Sequence, residues 1–290
     1  MSTAIAAVLA VAVAVLAGLL LPPLWRHRQR KQAFATALPA QLRAAVERNV
    51  PATRSLPPPL ARRLDGLVIS FLHEKQFVGC NDLEITDEIR ATIAAQACLL
   101  LLGRPGLYDE LKSILVYPSA FWVEDEVHEE DGLVTHRRRE LSGEAWDSHR
   151  IILSWADIEE TARQPADGYN VVLHEFAHYL DAEGRGLAPP PQSSERSTEG
   201  RSRASAAGRA RALDTWHKDL LAEYEALGEA VDRGETTFLD PYAAEDEAEF
   251  FAVASEEFIE CAAELREAHP RVYALLREFY GIDPADWSVR

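Results

Sequence analysis

Two histidines four residues apart, with a glutamate after the first, are the side chains in this sequence most suited to chemistry. They form the run His174-Glu175-Phe176-Ala177-His178, the H-E-x-x-H pattern of zinc metallopeptidases. On a helix, residues four apart lie on one face, so both imidazoles can bind one Zn²⁺ ion. Glu175 can then hold and deprotonate a water on the metal. So short a pattern also arises by chance, and it needs a helix and a third ligand to support it.

The flanking sequence predicts the helix that this pattern requires. Asp167-Gly168 is typical of a turn, and Asn170 is a suitable N-cap residue. The apolar residues that follow recur at helical spacing and would form the buried face: Val172, Leu173, Phe176, Ala177 and Leu180. Asp181 falls on the same face as His174 and His178, which makes it a candidate carboxylate for orienting a ligand imidazole.

A third ligand must come from another part of the chain, because a catalytic zinc site has three protein ligands and an open position for water. Segment 241–252 is rich in carboxylates and leads into an apolar helical pattern. Glu249 opens this predicted helix. Composition alone does not distinguish Glu249 from its neighbours, and Glu245, Asp246 and Glu247 are more typical of a solvated helix face.

The first 25 residues predict a transmembrane anchor. Ala4 to Leu21 is an uninterrupted apolar run, and with the four residues after it a helix would cross a hydrocarbon core of about 30 Å. Arg26, Arg28 and further basic residues follow at once, which places that side in the cytoplasm. We therefore expect a single-pass protein of the inner (cytoplasmic) membrane with its catalytic domain in the cytoplasm. A cleaved signal peptide and a buried helix are the alternatives.

The sequence predicts three parts. Residues 1–25 form the anchor, residues 26–60 form a basic and then proline-rich juxtamembrane segment, and residues 61–290 form one zinc metallopeptidase domain. Within this domain, residues 184–208 are rich in Pro, Ser, Arg and Gly and are predicted to form a disordered loop. This loop is either an inert insertion or a lid over the site.

The predicted elements indicate an α+β fold with a small sheet. A helix is expected after the N-cap Thr86, and Gly103 should stop it. Strands are expected near residues 113–117, 133–141 and 150–155. The last strand precedes the H-E-x-x-H helix by a short connection, and we interpret it as an edge to which an extended substrate adds. A buried core strand is the plainer interpretation.

Charge and cysteine content exclude several classes of function. Asp and Glu outnumber Lys and Arg by 47 to 30, which gives a net charge of −17. Such a charge disfavours direct nucleic-acid binding, and no basic stripe with interleaved aromatic residues is present. Cys80, Cys98 and Cys261 are few and widely spaced, so they indicate neither a disulfide framework nor a cysteine zinc site.

Several separated blocks of the sequence resemble the Mlc titration factor A family of zinc peptidases. The similarity covers about residues 64–260, and the blocks occur in the same order as in the family. The blocks lie at residues 74–80, 85–90, 93–98, 113–118, 141–144, 171–178 and 248–252. The peptidase domain of this family is similar to the catalytic domain of anthrax lethal factor, in which a glutamate supplies the third zinc ligand.

The resemblance implies a zincin-like fold with one Zn²⁺ per chain, held by His174, His178 and Glu249. It also implies that Tyr242 points at the metal and hydrogen-bonds the oxyanion that forms when water attacks the substrate. The residues alone allow Tyr242 to be a loop aromatic that covers the core.

In one respect the sequence departs from lethal factor. That protein has a further glutamate one turn after the zinc ligand, where this chain has Val253. Glu256 is then the alternative carboxylate that could support the site from this helix.

The resemblance implies a zinc peptidase with an aminopeptidase-like preference and a peptide or protein substrate. The anchor predicted from residues 1–25 would tether this peptidase to the membrane. Glu175 would be its general base. The family is named for binding Mlc, a DNA-binding repressor of sugar-uptake genes. The alternative is therefore a membrane-tethered protein that sequesters such a cytoplasmic regulator. Glu175 distinguishes the two functions, because hydrolysis needs a general base and binding does not.

Overall fold

The computed structural model describes residues 16, 18, 21, 25–119, 121–128, 134–141, 143–147, 149–163, 168–183 and 206–287, with the backbone alone for the described residues among 121–147, for 183 and for 206–214. Its helices are α1 (residues 25–33), α2 (Ala40–Asn49), α3 (Pro58–Glu74), α4 (Asp87–Leu99), α5 (Trp155–Arg163), α6 (Val171–Glu183), α7 (Ala206–Asp232), α8 (Glu247–Glu260), α9 (Ala262–Ala268) and α10 (Pro270–Tyr280). Its strands are β1 (Gln76–Gly79), β2 (Ser113–Tyr117), β3 (Phe121–His128), β4 (Val134–Leu141), β5 (Gly143–Asp147) and β6 (Arg150–Ser154).

A small, mainly parallel sheet lies among the helices. Its strand order is β1-β2-β6-β5, in which β1, β2 and β6 are parallel and β5 is antiparallel to β6. The strands β3 and β4 form a separate antiparallel pair. Ile114, Val116, Ile151 and Leu153 share one face of the sheet and are fully buried, so this face packs against the core. The mixed fold with a small sheet agrees with the predicted class.

One prediction about the sheet is wrong. The strand at residues 150–155 was interpreted as an edge, but β6 is internal, because it pairs with β2 on one side and with β5 on the other. The described part of that strand ends at Ser154, and α5 begins at Trp155. Since β5 covers β6, an added peptide could not reach the backbone hydrogen-bonding groups of β6.

Helix α4 begins as the sequence predicts, but it ends at Leu99, before the expected stop at Gly103. The Thr86 hydroxyl accepts a hydrogen bond from the Ile89 backbone N–H, which satisfies one of the free donors in the first turn. The helix is buried on nearly all sides, and the chain leaves it through Gly103. A Cβ at Gly103 would lie 2.3 Å from the carbonyl oxygen of Tyr280, so a larger residue would push the end of α10 away.

Aromatic side chains of α3 and of the segment that follows α4 pack against α6. Phe176 lies with its ring centroid 4.7 Å from that of Tyr108 and 5.8 Å from that of Phe71, and all three side chains are buried. The Tyr108 hydroxyl donates to the carbonyl of Ala97 in α4 at 2.7 Å, which satisfies this buried polar group. The face of α6 opposite Phe176 is thereby directed away from the core.

The residues before α3 pack against the rest of the described chain. Leu38, Val46, Val50 and Leu56 are buried within the main core. Arg30 in α1 pairs with Glu74 at 2.7 Å. Residues 26–60 were predicted to be a juxtamembrane segment, and the division of the chain into three parts stays a prediction.

The predicted location in the inner membrane is corrected. Among the residues that the structure describes, no helix has the length and apolar character needed to cross a membrane. A membrane span needs about 20 consecutive apolar residues, whereas the 27-residue helix α7 carries charged side chains along its length. Most of the apolar run at residues 4–21 lies outside the described residues, as does most of the predicted loop at residues 184–208.

Candidate metal centre

The helix that carries the H-E-x-x-H pattern begins where the sequence predicts. The backbone N–H of Leu173 donates to Oδ1 of Asn170 at 3.1 Å, so Asn170 caps α6. Val172 and Phe176 are fully buried on its inner face. The side chains of His174 and His178 are on another face and retain 13% and 19% of their exposure, which leaves them accessible to an ion.

A second capped helix carries the predicted third ligand. The carboxylate of Asp246 accepts hydrogen bonds from the backbone N–H groups of Ala248 and Glu249, at 2.8 and 2.9 Å. Asp246 is therefore the N-cap of α8 rather than only part of a solvated face. Its spacing to Glu249 is that of a capping box, and this local signal was missed in the sequence.

The ligand atoms of three predicted residues meet between α6 and α8. Nε2 of His174 lies 3.0 Å from Nε2 of His178, and Oε2 of Glu249 lies 3.0 and 3.3 Å from these two nitrogens. Among the described residues, these three form the group of His, Cys, Asp or Glu side chains that come together at ligand spacing. The two histidines are four residues apart in the sequence, and Glu249 follows them by 71 or more residues. The fold brings all three together.

The donor set and its spacing fit a zinc ion. Tetrahedral zinc with bonds of about 2.0–2.1 Å separates its ligand atoms by roughly 3.3 Å, close to the three distances observed. Two imidazole nitrogens and a carboxylate oxygen also converge in a partly buried place, where a cation between them is favourable.

The pKa values express the same preference for positive charge. Burial lowers the pKa of His174, but its hydrogen bonds with Glu249 and Glu256 raise it overall to about 10. Burial raises the pKa of Glu249, but its hydrogen bonds with His174 and His178 hold it well below its ordinary range. The first shift arises because carboxylates surround the His174 imidazole, and the second because the two histidines stabilise the ionised form of Glu249.

Glu256 lies behind His174, on the side away from the ligand atoms. Its Oε1 is 2.7 Å from Nδ1 of His174, and its Oε2 accepts a hydrogen bond from the backbone N–H of Asn170. Burial raises the pKa of Glu256 overall, although its contacts with His174 and Asn170 favour the ionised form. Of the two candidate carboxylates, Glu256 therefore makes the contact with His174. Asp181 is also buried, and the pKa of Tyr280 is raised by burial, with a smaller contribution from the charge of Asp181.

The two predicted catalytic residues lie beside the same three ligands. Glu175 is 5% exposed, and its charge helps to raise the pKa of His174. Tyr242 lies in a 3₁₀ turn (Pro241–Ala244). Asp240 caps this turn, because its carboxylate accepts the backbone N–H of Tyr242 at 2.8 Å. Its ring centroid is 6.2 Å from that of His174.

The Tyr242 hydroxyl faces the third ligand. Burial, the charge of Glu249 and a hydrogen bond with Glu249 raise the pKa of Tyr242, so the hydroxyl keeps its proton at neutral pH. The residue is 45% exposed, which leaves its edge open to solvent and to a substrate. The arrangement can therefore offer a hydrogen-bond donor next to a bound cation.

Comparison with known proteins gives consistent results over most of the chain. The sequence model of a family described as glucose-regulated metallo-peptidase M90 matches residues 24–281. A protein named Mlc titration factor A from Klebsiella pneumoniae (strain 342) is 34% identical over 240 residues, which cover 81% of this chain and 84% of that protein. A protein of the same name from Escherichia coli O7:K1 is 32% identical over 265 residues, covering 90% and 92%. An uncharacterized protein of Synechocystis sp. is 35% identical over 267 residues, covering 90% and 91%.

Proposed function

This chain belongs to the family of glucose-regulated metallo-peptidase M90, and from that premise we propose that it is a zinc-dependent peptidase. The observation that carries the proposal is the convergence of His174, His178 and Glu249 within hydrogen-bonding distance of one another. A site built only for binding a protein would not need this set together with Glu175.

We assign His174, His178 and Glu249 as the residues that hold one Zn²⁺ per chain. When bound, the ion would act as a Lewis acid for the attacking water and the scissile carbonyl. The reaction also needs a proton acceptor for the water and a hydrogen-bond donor for the oxyanion, and the chain's own residues supply both.

Glu175 is the proposed general base. It accepts the proton of the attacking water and passes it to the nitrogen of the leaving amine. Its place in the sequence between the two histidine ligands would bring it beside a bound metal, and its burial limits competition from bulk water. Tyr242 is the proposed oxyanion donor, because its protonated hydroxyl faces the third ligand from the exposed side.

The substrate backbone is proposed to add to β5. In the described part of the sheet, β5 pairs with β6 alone, and it lies against α6. Addition of an extended peptide to such an edge gives main-chain hydrogen bonds with little dependence on sequence. An aminopeptidase-like preference is proposed from the family resemblance, and peptides with free and acetylated N-termini would distinguish it from endopeptidase action.

Hydrolysis of unstructured peptides by the full-length protein tests the proposal. We expect the wild type with zinc to cleave them, Glu175→Gln to keep its zinc without cleaving, and Glu278→Gln, an exposed residue of α10, to behave as the wild type. Loss of cleavage by roughly 10²-fold or more is expected when a general base is removed. A zinc-loaded wild type without peptidase activity would contradict the proposal.

The names of the relatives favour a second candidate function, the titration of an Mlc-like repressor. Such binding does not need a general base. Glu175→Gln should then bind a purified repressor of this kind as well as the wild type does, and a pull-down with both proteins would measure it. Absence of binding by both proteins would remove this candidate.

A further inference from the structure

We propose that Glu256 is a positioning residue that sets the metal-binding tautomer of His174 and joins α6 to α8, an inference that rests on the proposed zinc peptidase. Its carboxylate contacts two different hydrogen-bond donors. Oε1 lies 2.7 Å from the Nδ1 of His174, and Oε2 accepts the backbone N–H of Asn170. The side chain is 2% exposed, so water does not replace either partner.

The contact with Nδ1 decides which nitrogen of His174 faces the metal. In the zinc-loaded protein, the Glu256 carboxylate can only accept, so it holds the proton on Nδ1 and leaves the lone pair of Nε2 to the metal. Nε2 is the nitrogen that lies 3.0 Å from Nε2 of His178 and 3.0 Å from Oε2 of Glu249. A carboxylate in this place also increases the basicity of the ligand imidazole.

The contact with Asn170 fixes the start of the helix that carries the histidines. Asn170 caps α6, and its side-chain amide donates a hydrogen bond to the carboxylate of Glu260 in α8 at 2.8 Å. The chain approaches α8 closely here, since a Cβ at Gly168 would lie 2.1 Å from Oε1 of Glu257. With its φ of 88°, Gly168 allows both the turn and this approach.

One helix therefore carries both the third ligand and the support. Glu249 and Glu256 are seven residues apart on α8, which is close to two turns, so they project from nearly the same face. Glu249 reaches the metal side of His174 and Glu256 reaches its far side. A shift of α6 along α8 would break both contacts together.

The two glutamates that contact Asn170 provide a matched pair of substitutions. In Glu256→Gln, the new amide has one acceptor and one donor, but two donors face it, so one of the two contacts must be lost. In Glu260→Gln, the amide oxygen can still accept from the Asn170 side chain. The same change, one turn apart on the same helix, should therefore affect the metal site in one variant alone.

Competition for Zn²⁺ with a chromophoric chelator tests the inference on the full-length protein. We expect Glu256→Gln to bind zinc roughly 10–100-fold more weakly than the wild type, and Glu260→Gln to remain close to the wild type. The visible spectrum of the Co²⁺-loaded proteins should change in Glu256→Gln only. Equal zinc affinities and equal Co²⁺ spectra for all three proteins would overturn the inference.

The measurement separates this inference from the proposed function. If the wild type binds zinc and Glu256→Gln binds it equally well, the positioning role fails while the zinc site stands. If the wild type binds no zinc, both fail.

A second measurement covers the case in which Glu256→Gln does not fold. Proton NMR of the zinc-loaded wild type should show a histidine Nδ1–H of His174 that exchanges slowly with water, because it is buried against Glu256. Absence of this resonance would overturn the inference without any variant.

Discussion

The carboxylate of Asp246 accepts the backbone N–H of Glu249 at 2.9 Å. The proposed third ligand is thus held in the first turn of α8 by the residue that starts the helix. The first turn is where the backbone of a helix has free N–H groups, and a capping carboxylate satisfies them. The position of Glu249 relative to the two histidines depends on this cap as well as on helix packing.

We expect Asp246→Ala to destabilise the metal-free protein by about 1 kcal/mol, because the cap of α8 is lost. Asp246→Asn should change the stability much less, since an asparagine oxygen can accept the same two hydrogen bonds. Urea unfolding of the wild type and both variants would measure the difference. Equal unfolding midpoints for Asp246→Ala and the wild type would show that the cap does not hold the helix.

Tyr242→Phe should lower kcat by roughly 10²–10³-fold, because one donor to the oxyanion is removed. Zinc content and KM should stay nearly unchanged, since the hydroxyl is not among the three ligands. Steady-state kinetics with an unstructured peptide would test this, and Tyr224→Phe on α7 serves as the control. A fall in zinc content instead of kcat would assign Tyr242 to metal binding.

Lys75 gives the protein a stability dependence at alkaline pH. Its ammonium group is buried and donates to the carbonyls of Tyr108 and Leu111. Burial lowers the pKa of Lys75 from 10.5 to about 8. Between these values the unfolded chain binds more protons at this residue than the folded protein, so this contribution to stability rises with pH.

The contribution should be visible as a difference between two proteins. Between pH 7 and pH 10, the unfolding free energy of the wild type should rise relative to that of Lys75→Met. Denaturant unfolding at both values would measure this, and the difference cancels other titrating groups that both proteins share. The same pH dependence for both proteins would mean that Lys75 is not buried as its contacts indicate.

Local sequence patterns predicted the parts of the site that neighbouring residues determine. Asn170 and Thr86 were expected as N-caps and are N-caps, because a cap depends on residues within one turn. The spacing of His174 and His178 placed both on one face for the same reason. Asp246 carried a capping-box signal of this kind, although its helix face was interpreted as solvated.

Features that depend on long-range packing were not predictable from the residues alone. The strand order puts β5, which comes before β6 in the chain, at the edge beside it, and no local pattern in β6 reveals that neighbour. The choice between Asp181 and Glu256 as the support for His174 depends on how α6 lies against α8. The assignment of Glu249 among several carboxylates came from the family resemblance, and the distances to both histidines support it.

The most direct test of the central claim is the zinc content of the purified full-length protein beside Glu249→Ala and Glu247→Ala. Both glutamates are in the first turn of α8, but Glu247 is exposed and Glu249 faces the histidines. We predict one zinc per chain in the wild type and in Glu247→Ala, and little zinc in Glu249→Ala. A wild type without zinc, or Glu249→Ala with a full zinc content, would contradict the account.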